Sequence, residues 1–262
     1  MLILKIMRRG GSFLRIIIGI GIVIFGFIKF CSSAEENPHT GETQYVDLNT
    51  EEEMALGEES TPAMIEQYGG LYSDEAEQRK IREIGQELVR NSIANATPYE
   101  YEFYLLADPN TINAFALPGG PVFITYALYS KLENEDQLAG ILGHEIGHVI
   151  GRHSAERIAK QGFTNSVISG VAVGSGSQEA GQAAAVIGNL VNMKYGRGDE
   201  LESDNLGVKI MIDAGYNPEE MIGVMQILKE AAGPNRTPEF QSTHPDPENR
   251  IEKIREAIEE HQ

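Results

Sequence analysis

The most hydrophobic part of the chain lies at its amino terminus. An uncharged core of 13 residues, Ile16 to Ile28, is bracketed by Arg15 and Lys29. A core of this length is typical of a secretory signal peptide and short for a membrane span, which needs about 20 residues. Arg15 and Lys29 can extend their charged ends to the membrane surface, however, so the segment from Gly10 to Phe30 is long enough to cross.

This pattern predicts that residues 1–31 form an uncleaved membrane anchor, with a cleaved signal segment or a lipoprotein as the alternatives. Basic residues precede the apolar core and Glu35 and Glu36 follow it, which predicts that the rest of the chain lies outside the cytoplasm. Cys31 is placed where a lipid could be attached, but Lys29 and Phe30 before it are not the small residues typical of such a site.

Beyond this segment, apolar residues recur mainly at helical spacing. Residues 32–50 are polar and contain Pro and Gly, which predicts a linker before a domain at 51–262. Helices are predicted over 50–69, over 73–95, from Asn134 through the sequence HEIGH, from Arg197 to Gly215, from Asn217 to about Ala232, and after His244 and Pro245. Strands are predicted at 100–107 and 122–125. The pattern therefore predicts an α+β fold that is mostly helical, with one small β-sheet.

The chain is strongly acidic, with a net charge of −18. Residues 1–31 carry five basic side chains and no acid, so the remainder has 16 basic against 39 acidic residues, or −23. Such a surface disfavours a nucleic-acid partner, because binding phosphates needs clustered Lys and Arg. The single cysteine excludes an internal disulfide.

The sequence HEIGH carries the clearest chemistry. On a helix, His144 and His148 differ by about 40° in direction and about 6 Å in height, so both imidazoles project from one face. Two neutral imidazoles in this arrangement can bind one Zn²⁺ at about 2.0–2.1 Å. Glu145 lies beside that face, where it can accept a proton from a water on the metal. The spacing predicts one zinc site per chain with its own general base.

A catalytic zinc needs a third protein ligand and one open position. His153 is five residues past His148, about 140° round a continuous helix, and is a poor candidate. The acidic sequence DELESD offers Glu200 and Asp204 on one helical face. One of the two can bind metal while the other orients a histidine. Glu202 points about 160° away from Glu200 and is predicted to be a bystander.

Four motifs in this order resemble a known family: NAFALPGG, HEIGH, a helix beginning ELESD, and THPDPENRI. They are similar to the zinc metallopeptidases that include the heat-shock protease HtpX and the CAAX prenyl proteases, and most similar to exported bacterial members with a single peptidase domain. The resemblance covers about residues 45–255. It implies a gluzincin fold, in which an active-site helix lies under a small sheet and is surrounded by helices.

The resemblance also implies roles for individual residues. Glu200 matches the third zinc ligand and Asp204 the orienting carboxylate of an ExxAD pattern, with Ser203 where alanine is usual. His244 matches a histidine close to the metal, which we expect to stabilise the oxyanion or to lie over the zinc.

The strand after the PGG turn resembles the edge strand to which a substrate backbone pairs. That likeness implies substrate binding by Pro118, Gly119 and the backbone of the strand, which comprises Val122, Phe123, Ile124 and Thr125.

The predicted function is zinc-dependent endopeptidase cleavage of misfolded or envelope proteins, with Glu145 as the base. We expect the protein to be exported and attached to the membrane on the periplasmic side of a bacterial envelope, through the uncleaved anchor or a lipid on Cys31. The alternatives are a chaperone-like envelope protein with an idle or structural zinc site, and a different zinc hydrolase such as an amidase.

Overall fold

The computed structural model describes residues 2–175, 195–231, 239–245 and 249–262. Its helices are α1 (Leu2–Ser32), α2 (Thr50–Gln67), α3 (Glu75–Arg90), α4 (Tyr126–Tyr129), α5 (Glu135–Ile150), α6 (His153–Ser175), α7 (Arg197–Ala214), α8 (Glu220–Ala231), α9 (Glu239–Thr243) and α10 (Arg250–His261). Its strands are β1 (Ala34–Glu36), β2 (Thr43–Tyr45), β3 (Glu102–Leu106), β4 (Ala114–Ala116) and β5 (Pro121–Thr125). The predicted mostly helical α+β fold is confirmed.

The described residues fall into two compact units. The first contains residues 2–48 and 155–175, and the second contains 49–154 and the described residues from Tyr195 onward. Helix α6 therefore begins in the second unit and continues into the first. The boundaries predicted from the sequence, at 31 and 50, differ from this division and remain predictions.

The first unit is built around the apolar helix α1. Residues Phe13–Ser32 are long enough and apolar enough to cross a membrane, and most of their side chains are exposed. The later part of α6 packs against α1, with the Phe30 and Phe163 rings stacked at 5.4 Å. Strands β1 and β2 pair antiparallel within the predicted linker. The linker sequence therefore contains a short hairpin, which its polar composition did not predict.

The second unit contains a three-stranded sheet of order β3-β5-β4. Strand β5 is central, parallel to β3 and antiparallel to β4. Alternate side chains of a strand point to opposite faces: Val122 and Ile124 lie in the core formed with α3 and α5, whereas Phe123 packs with Met64 and Tyr68. Burial on both faces explains why β5 is apolar up to Thr125, whose buried hydroxyl donates a hydrogen bond to the Thr111 carbonyl at 2.6 Å.

The turn between β4 and β5 requires glycine. Gly119 has a φ of 81° and Gly120 a φ of 130°, a region that residues with a Cβ rarely adopt. A Cβ at Gly119 would also clash with the backbone of Met54 in α2. The PGG motif is thus explained by close packing of the turn on α2.

Helix α5 is buried along nearly its whole length. As predicted, Asn134 caps it by accepting a hydrogen bond from the Gln137 N–H at 2.9 Å. Helix α7 packs closely across α5, since a Cβ at Gly147 would lie 2.8 Å from the Ser203 carbonyl oxygen. This close approach brings the first turns of α7 beside the HEIGH sequence.

Candidate metal centre

Three predicted ligands converge where α5 and α7 cross. The Nε2 atoms of His144 and His148 are 3.1 Å apart. The two carboxylate oxygens of Glu200 each lie 3.5 Å from one of these nitrogens, Oε2 from His144 and Oε1 from His148. All three side chains are buried. Helix periodicity explains the histidine pair, and the α5–α7 contact explains the carboxylate.

His244 completes the cluster from the segment after α9. Its Nδ1 lies 3.4 Å from His144 Nε2 and 3.1 Å from Glu200 Oε1. All four residues offer ligand atoms within 4.8 Å of one another. Tetrahedral donors about 2.0 Å from a central zinc are about 3.3 Å apart. The separations given above, 3.1 to 3.5 Å, are close to this value, with Glu200 presenting Oε2 to His144 and Oε1 to His148 and His244.

The donor set fits a metal cation. Glu200 Oε2 is buried and makes no hydrogen bond to any described residue, but it lies 3.4 Å from Nη2 of Arg250. The same guanidinium also pairs with Asp204, so one positive charge serves two buried carboxylates. Buried negative charge in excess is costly unless a further cation lies beside it. His144, His148 and Glu200 would hold such a cation, and His244 lies next to them.

Glu145 is fully buried next to the ligand cluster. Its Oε1 lies 3.7 Å from His244 Nε2, and neither carboxylate oxygen has a hydrogen-bond partner among the described residues. Burial raises the pKa of Glu145 above its ordinary value, and this effect outweighs the opposing charges of His244 and His144. A carboxylate with a raised pKa is suited to accepting and returning a proton near neutral pH.

Asp204 lies behind His144, one helical turn from Glu200. Its Oδ1 is 2.9 Å from His144 Nδ1. Arg250, at the start of α10, donates two hydrogen bonds to it, from Nε to Oδ2 at 2.7 Å and from Nη2 to Oδ1 at 2.9 Å. The sequence reasoning gave Arg250 no role, although it is the arginine of the THPDPENRI motif.

Charges within the cluster shift its pKa values in opposite directions. Burial alone would lower the pKa of His144, but Asp204 and Glu200 outweigh it and raise the pKa to about 9. Burial lowers the pKa of His148 well below its ordinary value. Burial alone would raise the pKa of both carboxyls. His244 and His144 outweigh it at Glu200 and hold its pKa well below the ordinary value. Arg250 and His144 outweigh it at Asp204 and lower its pKa.

His148 has neighbours that spacing did not predict. Its Nδ1 lies 2.8 Å from the Nδ1 of His153, and His153 Nε2 lies 3.1 Å from Glu202 Oε2. Glu202 thus lies away from the ligand atoms, as its helical angle predicted, and contacts His153. Tyr195, just before α7, stacks on the His148 ring at 3.9 Å and contacts the Ser154 hydroxyl at 2.9 Å. Tyr195 has no motif that would identify it from sequence.

The strand predicted to bind substrate, β5, lies at the centre of the sheet and not at its edge. Val122, Phe123, Ile124 and Thr125 belong to β5, which is paired on both sides. Their backbone cannot be the free edge, because its hydrogen-bonding groups already serve β3 and β4. One edge is instead β4, in the NAFA part of the NAFALPGG motif. Substrate binding by Pro118 and Gly119 remains a prediction, and the fit of their turn against α2 gives this segment a structural role.

Comparison with known proteins identifies relatives of this chain. The model of the Peptidase family M48 matches residues 75–258. The chain is 31% identical over 240 residues to the beta-barrel assembly-enhancing protease of Escherichia coli K12, which covers 86% of this chain and 48% of that protein. The chain thus spans about half the length of that relative.

Two further relatives are similar over much of their own length. The mitochondrial metalloendopeptidase OMA1 of Schizosaccharomyces pombe is 28% identical over 246 residues, covering 92% of this chain and 71% of that protein. The metalloprotease YcaL of Escherichia coli K12 is 30% identical over 186 residues, covering 69% of each. Together with the ligand cluster and the family match over most of the second unit, these likenesses establish that the chain belongs to peptidase family M48.

Proposed function

We propose that this chain is a zinc-dependent endopeptidase that binds one Zn²⁺ through His144, His148 and Glu200. The observation that carries the proposal is the convergence of buried ligand atoms, all within 4.8 Å of one another, beside the buried carboxylate of Glu145. Two imidazoles and one carboxylate form a typical donor set for catalytic zinc. When bound, zinc would supply Lewis acidity that acidifies a water molecule and polarises the scissile carbonyl.

Glu145 acts as the general base and then as the general acid. Its carboxylate takes a proton from the attacking water as the water oxygen bonds to the carbonyl carbon. The carboxyl then delivers that proton to the leaving amine as the C–N bond breaks. Burial of Glu145 raises its pKa and so favours the protonated form that the second step uses.

His244 is proposed to adopt two positions, one among the ligand atoms and one beside the site. Its Nδ1 lies 3.4 Å from His144 Nε2 and 3.1 Å from Glu200 Oε1, so the imidazole would have to move aside for water or substrate to reach a metal held by the three ligands. From beside the site, an imidazole N–H can donate a hydrogen bond to the developing oxyanion. His244 is therefore proposed as a catalytic residue rather than a permanent ligand. Asp204, held by Arg250, orients His144.

Substrate is proposed to pair with the outer side of β4, which faces away from β5 and is buried in this structure. In the antiparallel ladder, Asn113 and Leu117 direct their main-chain groups toward β5, so the intervening Ala114 and Ala116 direct theirs away from it. An extended peptide can add there as another strand through main-chain hydrogen bonds. Such binding tolerates many side chains, which suits a peptidase that acts on misfolded proteins.

We further propose that residues 51–262 form the peptidase domain and that α1 attaches it to a membrane, on the periplasmic side of a bacterial cell envelope. The length and exposed apolar surface of α1 support the attachment. The name of the beta-barrel assembly-enhancing protease refers to β-barrel assembly, and β-barrels are structures of outer membranes, which supports a role at the cell envelope. An uncleaved anchor is preferred to a lipid on Cys31, because Lys29 and Phe30 precede that cysteine.

The test is Glu145→Gln in the full chain purified in detergent. This variant should retain about one zinc per chain and lose casein cleavage, because the ligands remain and the base is gone. Glu135→Gln, the same change at an exposed position of α5, should leave cleavage unchanged. Cleavage by the Glu145→Gln chain at the parental rate would refute the assigned base. A parent chain that binds zinc but hydrolyses nothing would favour the chaperone-like alternative.

A further inference from the structure

We propose that His153 and Glu202 form a positioning pair that sets the orientation and proton position of His148 as a metal ligand. The proposal rests on the proposed function only in taking His148 to bind the metal. It assigns a role to two residues outside the ligand set and outside the catalytic steps above.

The geometry leaves one consistent arrangement of protons. A neutral imidazole that binds a metal through Nε2 carries its proton on Nδ1, and His148 directs Nε2 at the other ligand atoms, so this is the form it would take as a ligand. That Nδ1–H faces His153 Nδ1 at 2.8 Å, which must then accept. His153 consequently carries its own proton on Nε2, where it faces the carboxylate oxygen of Glu202 at 3.1 Å. The carboxylate thus determines the tautomer of both rings.

The backbone explains why this contact exists at all. On a continuous helix His153 would point about 140° away from His148. Helix α5 ends at Ile150, and Arg152 has a left-handed φ of 53° that turns the chain back. The Arg152 guanidinium is held by the buried Glu53, with Nε donating at 2.8 Å. The strained turn is therefore anchored, and it delivers His153 to the side of His148.

Helix α7 supplies the other partners of His153. Glu202 lies between the ligand Glu200 and Asp204, and it faces α6 rather than the metal. Ser203 places Oγ 3.2 Å from His153 Nδ1, at the position where the family pattern has alanine. His153 is 2% exposed, so its ring is confined between the two helices. The two ligand histidines therefore have different partners: His144 contacts the carboxylate of Asp204, and His148 contacts the imidazole of His153.

The experiment measures zinc affinity of the full chain by competition with a chelator. Removing a residue that orients a ligand typically lowers metal affinity about 10- to 100-fold. We expect His153→Ala to raise the zinc Kd by that factor. His153→Asn keeps an acceptor oxygen near the place of Nδ1 and should restore affinity to within about threefold of the parent. Glu202→Gln should weaken binding, whereas Glu259→Gln at an exposed site should not.

A second readout follows the protons directly. Long-range ¹⁵N–¹H spectra of the zinc-loaded parent should show His148 protonated on Nδ1 and His153 on Nε2. In Glu202→Gln the His153 tautomer should no longer be uniform. A merely structural role for Glu202 would not move this signal.

The proposal is overturned if His153→Ala is folded and its zinc Kd stays within about twofold of the parent, well short of the loss expected for an orienting partner. Should that variant fail to fold, Glu202→Gln decides by the same threshold. A parent chain that binds no zinc would instead refute the proposed function. Inactivity of Glu145→Gln together with unchanged affinity in His153→Ala would refute this inference alone.

Discussion

Replacing Arg250 with Met tests whether the support behind the metal ligands is energetically important. The change removes both hydrogen bonds to Asp204, whose carboxylate is only 2% exposed. Breaking a buried ion pair by removing one partner costs about 3–5 kcal/mol, and here Arg250→Met leaves only the protonated His144 beside the two buried carboxylates of Asp204 and Glu200. That is a large part of a typical stability of about 5–15 kcal/mol. For a chain of this size it corresponds to a fall in Tm of roughly 6–20 °C.

The assay is urea unfolding of the chelator-treated protein, so that bound metal does not mask the loss. Arg255→Met provides a matched control, since Arg255 is exposed on the same helix α10 and should change stability by less than about 0.5 kcal/mol. Arg250→Lys should be intermediate, because Lys keeps the charge but cannot donate the paired hydrogen bonds. Equal unfolding midpoints for the two Met variants would refute the reasoning.

Three other changes test separate parts of the structure. Ala116→Pro should raise the KM for casein about 2- to 12-fold without unfolding the sheet, because it removes one main-chain hydrogen bond to the substrate. An unchanged KM would mean that substrate does not bind along β4. The metal-free protein should lose stability as the pH rises from about 6.5 to about 9, because His144 keeps its proton in the folded state up to about 9 whereas the unfolded chain loses it at about 6.5. A thermal melt series that is flat across this window would contradict the assignment. Asp at both Ile20 and Ile24 should release the chain from membranes into an alkaline carbonate wash, since each Asp costs about 2.5–3.5 kcal/mol in a span; retention of the double variant would argue against α1 as the anchor.

Local features of the site could be predicted from the sequence, and long-range ones could not. The pairing of His144 and His148 follows from helix periodicity alone, and the Asn134 cap marked the helix that carries them. Spacing left the choice between Glu200 and Asp204 open, because it depends on how closely α7 crosses α5 at Gly147.

Two predictions were wrong. One extended helix α5 past its end, and the other placed β5 at the edge of the sheet. The helical angle assigned to His153 was wrong because α5 stops at Ile150 and the chain turns at Arg152. Strand β4 has three residues, too few for an alternating pattern to be visible. The central place of β5 depends on pairing with β3, which is distant along the chain and leaves no local signal.

The buried charges around the ligand atoms explain why a divalent cation fits the site. They also explain why protons take its place when no metal is bound. Three carboxylates and one guanidinium are buried there, those of Glu145, Glu200, Asp204 and Arg250. With neutral histidines this set carries two net negative charges, which Zn²⁺ would balance. In the metal-free site protons must substitute, in agreement with the raised pKa of His144, about 9, and the raised pKa of Glu145. Zinc binding at pH 7 should therefore release about one proton, the one that His144 carries in the metal-free protein. Calorimetric titrations in buffers of different ionisation enthalpy measure that number, and a value near zero would mean that His144 is already neutral in the metal-free protein.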